Sequence, residues 1–169
     1  IAIYISIDPR LYTNGILHLV PFPYRPRAAQ VMAATSLTLR WWMLGSLIRM
    51  IGVGLLTFFG LWALDIPLAM ILALLAGILD FVPYFGPVVA AVPAVLLAFT
   101  QGLDSGLWVV LLYTIIQQIE SLIFSPIIYK RTVYLPPVLT ILAQIILFAM
   151  AGLLGVLLAT PLMAVALVW

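Results

Sequence analysis

A short proline-rich segment interrupts an otherwise apolar part of the chain at residues 80–87, and it reads Asp-Phe-Val-Pro-Tyr-Phe-Gly-Pro. The apolar runs on its two sides, 66–79 and 88–99, are well below the roughly 20 residues that a helix needs to cross a membrane. Proline cannot continue a helix, so the segment is predicted to be non-helical. Such backbone is tolerated at membrane depth only where it is buried in protein or lines a watery cavity. We therefore predict a broken hairpin with a functional turn.

The composition excludes a soluble domain. Hydrophobic residues make up 66% of the 169 residues and charged residues 7%, against about 45–50% and about 25% in soluble domains. We predict an integral, all-α membrane protein. Because the chain starts and stops inside apolar runs, we expect it to be part of a longer protein whose N-terminal part is missing. The chain has no cysteine and one histidine, so neither a metal site nor a cofactor is expected. A net charge of +2 does not indicate a nucleic-acid partner.

The remaining apolar runs and breaks divide the chain into two regions. Residues 1–43 are predicted to hold the end of a membrane helix, a cytoplasmic loop and an amphipathic surface helix. Residues 44–169 form the transmembrane domain, with a spanning helix at 44–64, a hairpin at 66–100, a spanning helix at 106–128 and a hairpin at 137–169. The expected hairpin tips contain Pro83, Gly86 and Pro87 in the first hairpin and Gly152, Gly155 and Pro161 in the second.

The order of segments indicates an inverted repeat. Pro67 opens the first hairpin and Pro137 the second, and Pro93 and Pro161 occupy similar places in the two return arms. A hairpin returns to the side from which it entered, so the two spanning helices must be antiparallel. One face then carries most of the basic residues, which favours the cytoplasmic side: Arg10, Arg25, Arg27, Arg40, Lys130 and Arg131. Asp65 and Asp104 lie on the opposite face.

Glu120 is the most informative polar residue, because it lies near the middle of an apolar helix. A charged carboxylate at that depth costs several kcal/mol unless it is paired, protonated or hydrated. Tyr113 and Gln117 precede it by seven and three positions, so the three polar groups share one helix face. We interpret them as part of a substrate or ion path. The alternative is a hydrogen-bonded cluster that only holds helices together.

Three further polar residues lie inside apolar segments. Asp80 stands at the first hairpin tip, where it is either part of the path or a cap for backbone N–H groups of the turn. Gln144 lies in the first arm of the second hairpin, and binding and packing are equally plausible interpretations. Arg49 is interpreted as a residue that extends to the cytoplasmic surface, with a pairing role as the alternative.

The segments at 78–93 (ILDFVPYFGPVVAAVP) and 116–126 (IQQIESLIFSP) resemble the autoinducer-2 exporter family, also called the PerM-like family. The segments at 3–21 and 152–162 match the same pattern, so the similarity covers nearly the whole chain. The family usually has Asn where Asp80 stands, and often a Met-Gly pair near Tyr129 and Lys130. The resemblance implies a transporter of the bacterial or archaeal inner membrane, assembled as a homopentamer, with substrates that range from a small signalling furanone to sodium ions and protons.

Two functional hypotheses follow. The first is a secondary transporter that moves a small polar solute or ion through a site between the two hairpin tips, because paired broken segments in inverted repeats are typical of such sites. A sodium/proton antiporter is one form of this hypothesis. The second is a pore or a non-transporting scaffold whose polar residues serve assembly. The chain has no Gly-x-Ser-x-Gly nucleophile motif, and an enzyme is not predicted. The lipid bilayer and a small solute or ion are the expected partners.

Overall fold

A computed structural model describes residues 21–124 and 136–166. Within these ranges the chain is all-helical, as predicted, and contains no strand. A 3₁₀ turn at Phe22–Tyr24 precedes the first α-helix, and a π-helical segment at Glu120–Phe124 continues the fourth. The five α-helices are α1 (Arg25–Ala63), α2 (Ala69–Leu79), α3 (Phe85–Gln101), α4 (Leu103–Ile119) and α5 (Pro137–Ala166). By length and composition α1, α5 and the combined helix Leu103–Phe124 can cross a membrane.

Helix α1 differs from the prediction of a surface helix followed by a separate spanning helix at 44–64. It runs without a break for 39 residues, or about 58 Å at 1.5 Å per residue. The stretch between the two predicted helices, 40–44, contains neither glycine nor proline. Its basic and aromatic side chains are typical of a membrane surface, but nothing in its backbone ends a helix.

Helices α2 and α3 are joined by a tight turn at 80–84. The N–H of Val82 donates to the carbonyl of Leu79 at 3.0 Å, and the N–H of Gly86 donates to Val82 at 2.9 Å. The buried Cα of Gly86 faces the Leu79 carbonyl so closely that a Cβ would collide with it. Of the predicted tip residues, Pro83 lies in the turn, whereas Gly86 and Pro87 lie in the first turn of α3, where proline is well tolerated.

Helix α5 is broken at Gly152, which has φ 60° and ψ −142°. This left-handed φ favours glycine. Three residues later, buried Gly155 lies directly against the carbonyl of Leu147. The chain therefore changes direction sharply between Leu147 and Gly155. Pro161 lies in the second part of the helix. Residues 125–135 and 167–169, which include the predicted ends of the helix at 106–128 and of the hairpin at 137–169, lie outside the described residues.

Glycine allows α1 and α2 to pack at close range. The Cα of Gly54 lies 3.4 Å from the position that a Cβ on Gly77 would take, and the carbonyl oxygen of Met50 lies 2.8 Å from it. Two clusters of buried apolar side chains join α1, α2, α3 and α4: Leu61, Ile66, Leu72, Ala94, Ala98 and Val109 in one, and Val53, Ala76, Ala90 and Ile116 in the other. Gly102 alone separates α3 from α4, whereas the predicted hairpin at 66–100 and helix at 106–128 left five residues between them.

Candidate functional site

Arg49 of α1 pairs with two carboxylates from two other elements. Its Nε lies 2.9 Å from Oδ2 of Asp80 in the α2–α3 turn and 3.4 Å from Oε1 of Glu120 at the end of α4. Its Nη2 donates to the backbone carbonyl of Asp80 at 2.7 Å. The side chains of Arg49, Asp80 and Glu120 are 11%, 0% and 9% exposed. The interpretation of Arg49 as a residue that extends to the membrane surface is therefore wrong, because the carboxylates hold it inside the protein.

Glu120 is held by a second contact from its own helix. The Nε2 of Gln117 donates to Oε2 of Glu120 at 2.9 Å, so the two oxygens of this carboxylate face different donors. Glu120 is also the first residue of the π-helical segment. Such wide turns are rare inside α-helices and frequently occur at functional sites. The ring of Phe124 at the other end of the segment packs where a side chain on Gly52 would lie.

Gln144 connects α5 to the α2–α3 turn. Its side chain is almost fully buried, and its Nε2 donates to the backbone carbonyl of Pro83 at 3.2 Å. Oε1 of Gln144 and Oδ1 of Asp80 are both buried, and neither has a hydrogen-bond partner among residues 21–124 and 136–166. Buried acceptors without a donor are uncommon in native proteins. Here one belongs to Asp80 of the five-residue turn and the other to Gln144, which contacts that turn.

A cleft of about 710 Å³ opens between α2, α3 and α4 beside this cluster. Valine, alanine, proline and other apolar side chains form most of its wall. Its polar lining comes from α4, which contributes Tyr113, Thr114, Gln117, Gln118 and Glu120. The hydroxyl of Tyr113 has no partner within the described part of the chain. Since Glu120 both lines the cleft and contacts Arg49, it connects the cleft to the buried charges.

The structure thus distributes the predicted site residues over one continuous region. Asp80, Gln117 and Glu120 surround or support Arg49, Gln144 reaches the turn, and Tyr113 faces the cleft. Sequence reasoning assigned Arg49 to the wrong environment, although a lone cation in an apolar helix is itself a signal that a partner is present. In the described ranges no three His, Cys, Asp or Glu residues are placed to hold a metal ion.

Comparisons with known proteins agree on one family. The model of the AI-2E family of transporters matches residues 1–169. YrrI of Bacillus subtilis, whose name marks it as a provisional transport protein, is 32% identical over 98% of this chain and 47% of its own length. A protein of Thermotoga maritima with the same kind of name is 31% identical over 95% of this chain and 49% of its own. The chain therefore spans about half the length of these relatives. No solved structure gives a significant match.

Proposed function

This chain belongs to the AI-2E family of transporters, and from this premise we propose that it forms part of a secondary transporter for a small polar solute or ion. The proposed site lies between the α2–α3 turn and the break in α5. The single observation that carries the proposal is the contact of Gln144 with Pro83 directly beside the buried pair of Arg49 and Asp80. Members of this family are transporters rather than enzymes, and the chain is an integral membrane protein.

The two broken segments support an inverted repeat of re-entrant hairpins. Gly86 lies against the carbonyl of Leu79, and Gly155 lies against the carbonyl of Leu147. Each glycine is buried, and the two are 69 positions apart. This close approach of backbone to backbone thus recurs at nearly the spacing that separates Pro67 from Pro137 and Pro93 from Pro161. Paired interruptions of this kind are characteristic of substrate sites in secondary transporters.

Helix lengths support a turn deep in the bilayer. The 11 residues of α2 extend for about 16 Å, which is roughly half of a hydrocarbon core of about 30 Å. A chain that enters at the start of α2 therefore reaches its turn near the membrane centre. At that depth the only favourable surroundings for Asp80 and the free backbone groups of the turn are protein partners or a hydrated cavity.

Glu120 is the proposed coupling group. It faces the cleft and contacts the only buried cation of the described residues. Desolvation opposes charge on a carboxyl group and an adjacent guanidinium favours it. Because these two effects oppose each other at Glu120, the carboxyl group can change its protonation or its cation partner when water enters the cleft or a neighbouring side chain moves. Binding of a proton or cation at Glu120 would then be linked to movement of solute.

The proposed partners are the lipid bilayer, a small solute or ion and further copies of the chain. Many large apolar side chains are exposed along the described helices, which suits contact with lipid or with neighbouring subunits. A homopentamer is the assembly that the family resemblance implies, and no nucleic-acid partner is proposed.

A pore or scaffold is the second candidate, and one observation favours it. The buried carboxylates are already paired by Arg49 within the chain, as expected for a cluster that only stabilises the packing of three elements. In that case the polar groups would hold the assembly together without binding a solute.

Proteoliposomes that contain the full-length protein separate the candidates. A pH-sensitive dye inside the vesicles reports proton movement when a gradient of Na⁺, Li⁺ or K⁺ is imposed. The transporter predicts a pH change that requires the protein, depends on the gradient and saturates with cation concentration. Flux without saturation would identify a pore, and the absence of any protein-dependent flux would favour a scaffold.

A further inference from the structure

Arg49 links three elements through one guanidinium group. It projects from α1, forms an ion pair and a backbone hydrogen bond with Asp80 in the turn, and lies within ion-pair distance of Glu120 at the end of α4. The bond to the Asp80 carbonyl matters most for movement, because it attaches the main chain of the turn to α1. Any event that removes the guanidinium from the carboxylates also loosens this attachment.

The charges of the cluster do not balance. Asp80 and Glu120 offer two negative charges, and Arg49 supplies one positive charge. Within the described residues the other hydrogen bond to these carboxylates comes from the neutral amide of Gln117 in α4. The amide of Gln144 from α5, which is also neutral, bonds to the carbonyl of Pro83 in the same turn as Asp80. A net negative charge in a site with little solvent is unfavourable. One further positive charge would therefore balance the charge of the cluster and stabilise it.

A second observation points to the same missing cation. Oδ1 of Asp80 is fully buried and accepts no hydrogen bond from any described residue. On Asp80, Arg49 contacts only the other carboxylate oxygen, Oδ2, and the backbone carbonyl. A buried carboxylate oxygen is normally satisfied, and a proton or a small cation bound there would remove the deficit.

We infer that the carboxylates of Asp80 and Glu120 form a site for one monovalent cation, a proton or an alkali ion, and that Arg49 is a tethered competitor for it. The inference rests on the proposed function and adds a positioning role for Arg49. When a cation enters, the attraction between the carboxylates and the guanidinium weakens. Arg49 then withdraws, its bond to the Asp80 carbonyl is lost, and the turn at 80–84 is released from α1.

Trp42 provides a built-in reporter of this release. Its ring packs edge-on against Phe81, the neighbour of Asp80 in the turn, with 5.6 Å between ring centroids and an interplanar angle of 75°. Trp42 lies on α1, two turns before Arg49, and does not belong to the charge cluster. If the turn moves away from α1, the environment of Trp42 changes while its own helix stays in place.

The experiment uses the full-length protein in lipid nanodiscs with every tryptophan except Trp42 replaced by phenylalanine. Trp42 emission is recorded during a pH titration in choline chloride, and during titrations with NaCl, LiCl and KCl at a fixed alkaline pH. The first arm isolates the proton and the second isolates alkali ions. We expect a saturable change in emission in at least one arm, and Asp80→Asn should abolish the response to alkali ions.

Substitution of Arg49 gives the decisive result. Arg49→Gln removes the competitor. If Arg49 leaves the site unoccupied for one tenth of the time or less in the wild type, the apparent cation affinity of the variant should be about tenfold higher or more. Trp42 emission before titration should already resemble the cation-saturated wild type. Arg49→Lys keeps the charge but loses the pair of hydrogen bonds to Asp80. The midpoint of its Trp42 titration should therefore shift in the same direction by a smaller amount. Arg40→Gln, which removes an exposed charge from the same helix, should change neither quantity.

The inference is overturned if no cation or pH change alters wild-type Trp42 emission, or if Arg49→Gln weakens cation binding. If Arg49→Gln fails to fold, Arg49→Lys provides the test. A Trp42 titration midpoint in that variant that is unshifted, or that indicates weaker cation binding, counts against the competitor role. The same preparations are assayed in proteoliposomes. Saturable flux without a Trp42 response would refute only this inference, whereas a Trp42 response without flux would refute only the proposed transporter.

Discussion

At the level of single residues, the two carboxylates of the cluster have different neighbours. Asp80 is fully buried and receives two hydrogen bonds from Arg49, one on its side chain and one on its main chain. Glu120 lies at the edge of the cleft and accepts a hydrogen bond from Gln117, which is exposed. Asp80 is therefore suited to hold the turn, and Glu120 is suited to exchange a proton or cation with the cleft.

The substitution Glu120→Gln tests that division of roles. Glutamine preserves size and hydrogen bonding but cannot titrate, so the variant should fold and assemble while the pH dependence of its transport is lost. Flux in proteoliposomes from about pH 6 to about pH 9 measures the effect. Asp104→Asn is the matched control, since it removes an exposed carboxylate from the first turn of the same helix. Unchanged pH dependence in Glu120→Gln would leave Asp80 as the coupling group, and failure to assemble would favour the packing interpretation.

Sequence patterns identified the polar residues of the site but not all of their partners. Tyr113, Gln117 and Glu120 share a helix face by spacing alone, and the structure places all three on one cleft. The pairing of Arg49 with Asp80 joins residues 31 positions apart. Such a contact depends on how α1 packs against the hairpin, and no local pattern encodes that packing. The π-helical segment at Glu120–Phe124 has no recognisable sequence signal either.

At the level of helices, breaks were predicted well wherever glycine and proline cause them. Residues 80–84 of the predicted segment and Gly152 both interrupt helices in the structure, whereas residues 85–87 already belong to α3. The ends of elements were harder to locate. Helix α1 continues through 40–44 because interface residues alone do not stop a helix. The gap between the predicted hairpin at 66–100 and helix at 106–128 is reduced to Gly102, because one glycine with a φ of 153° is enough to separate two helices.

Close packing of α1 against α2 predicts an asymmetric response of two facing glycines. A Cβ on Gly77 would lie 2.8 Å from the carbonyl oxygen of Met50, which is backbone and cannot rotate away. A Cβ on Gly54 would have its nearest neighbour at an ordinary 3.5 Å. Gly77→Ala should therefore lower the free energy of unfolding by roughly 1–3 kcal/mol, whereas Gly54→Ala should change it by less than about 0.5 kcal/mol.

Unfolding of both glycine variants in mixed detergent micelles, followed by circular dichroism, provides the comparison. The chain offers its own control, because the two glycines face each other across one interface and the substitution is the same. Equal destabilisation of the two variants would show that the helices are not packed as described.

At the level of the whole molecule, the family resemblance seen in the sequence is confirmed by the match over residues 1–169. Membership of this family supports the prediction of a membrane transporter rather than an enzyme. The substrate, the assembly and the inverted repeat stay predictions. They depend on packing between distant segments and on contacts with solute and with neighbouring subunits, which local residue patterns do not encode.

Charge distribution predicts the orientation of the protein. Arg25, Arg27 and Arg40 occupy the first half of α1, whose length exceeds the thickness of a bilayer, and Asp104 lies at the start of α4. Basic residues favour the cytoplasmic side. A cysteine that replaces Arg27 should therefore react with a membrane-impermeant maleimide only from the cytoplasmic side, and one that replaces Asp104 only from the opposite side. Labelling of both positions from the same side would refute the topology.

The central claim is that the α2–α3 turn lies deep in the membrane beside a hydrated cleft. The most direct measurement is the immersion depth of a spin label at Pro83→Cys in lipid vesicles, obtained from its accessibility to oxygen and to a water-soluble nickel complex. Ile78→Cys, at an exposed position of α2, serves as the lipid-facing control, and Arg27→Cys as the surface control. The account predicts a label about 10 Å or more below the lipid phosphates, with greater nickel accessibility than the Ile78→Cys control. A label at Pro83→Cys that lies at the same level as the Arg27→Cys control would contradict it.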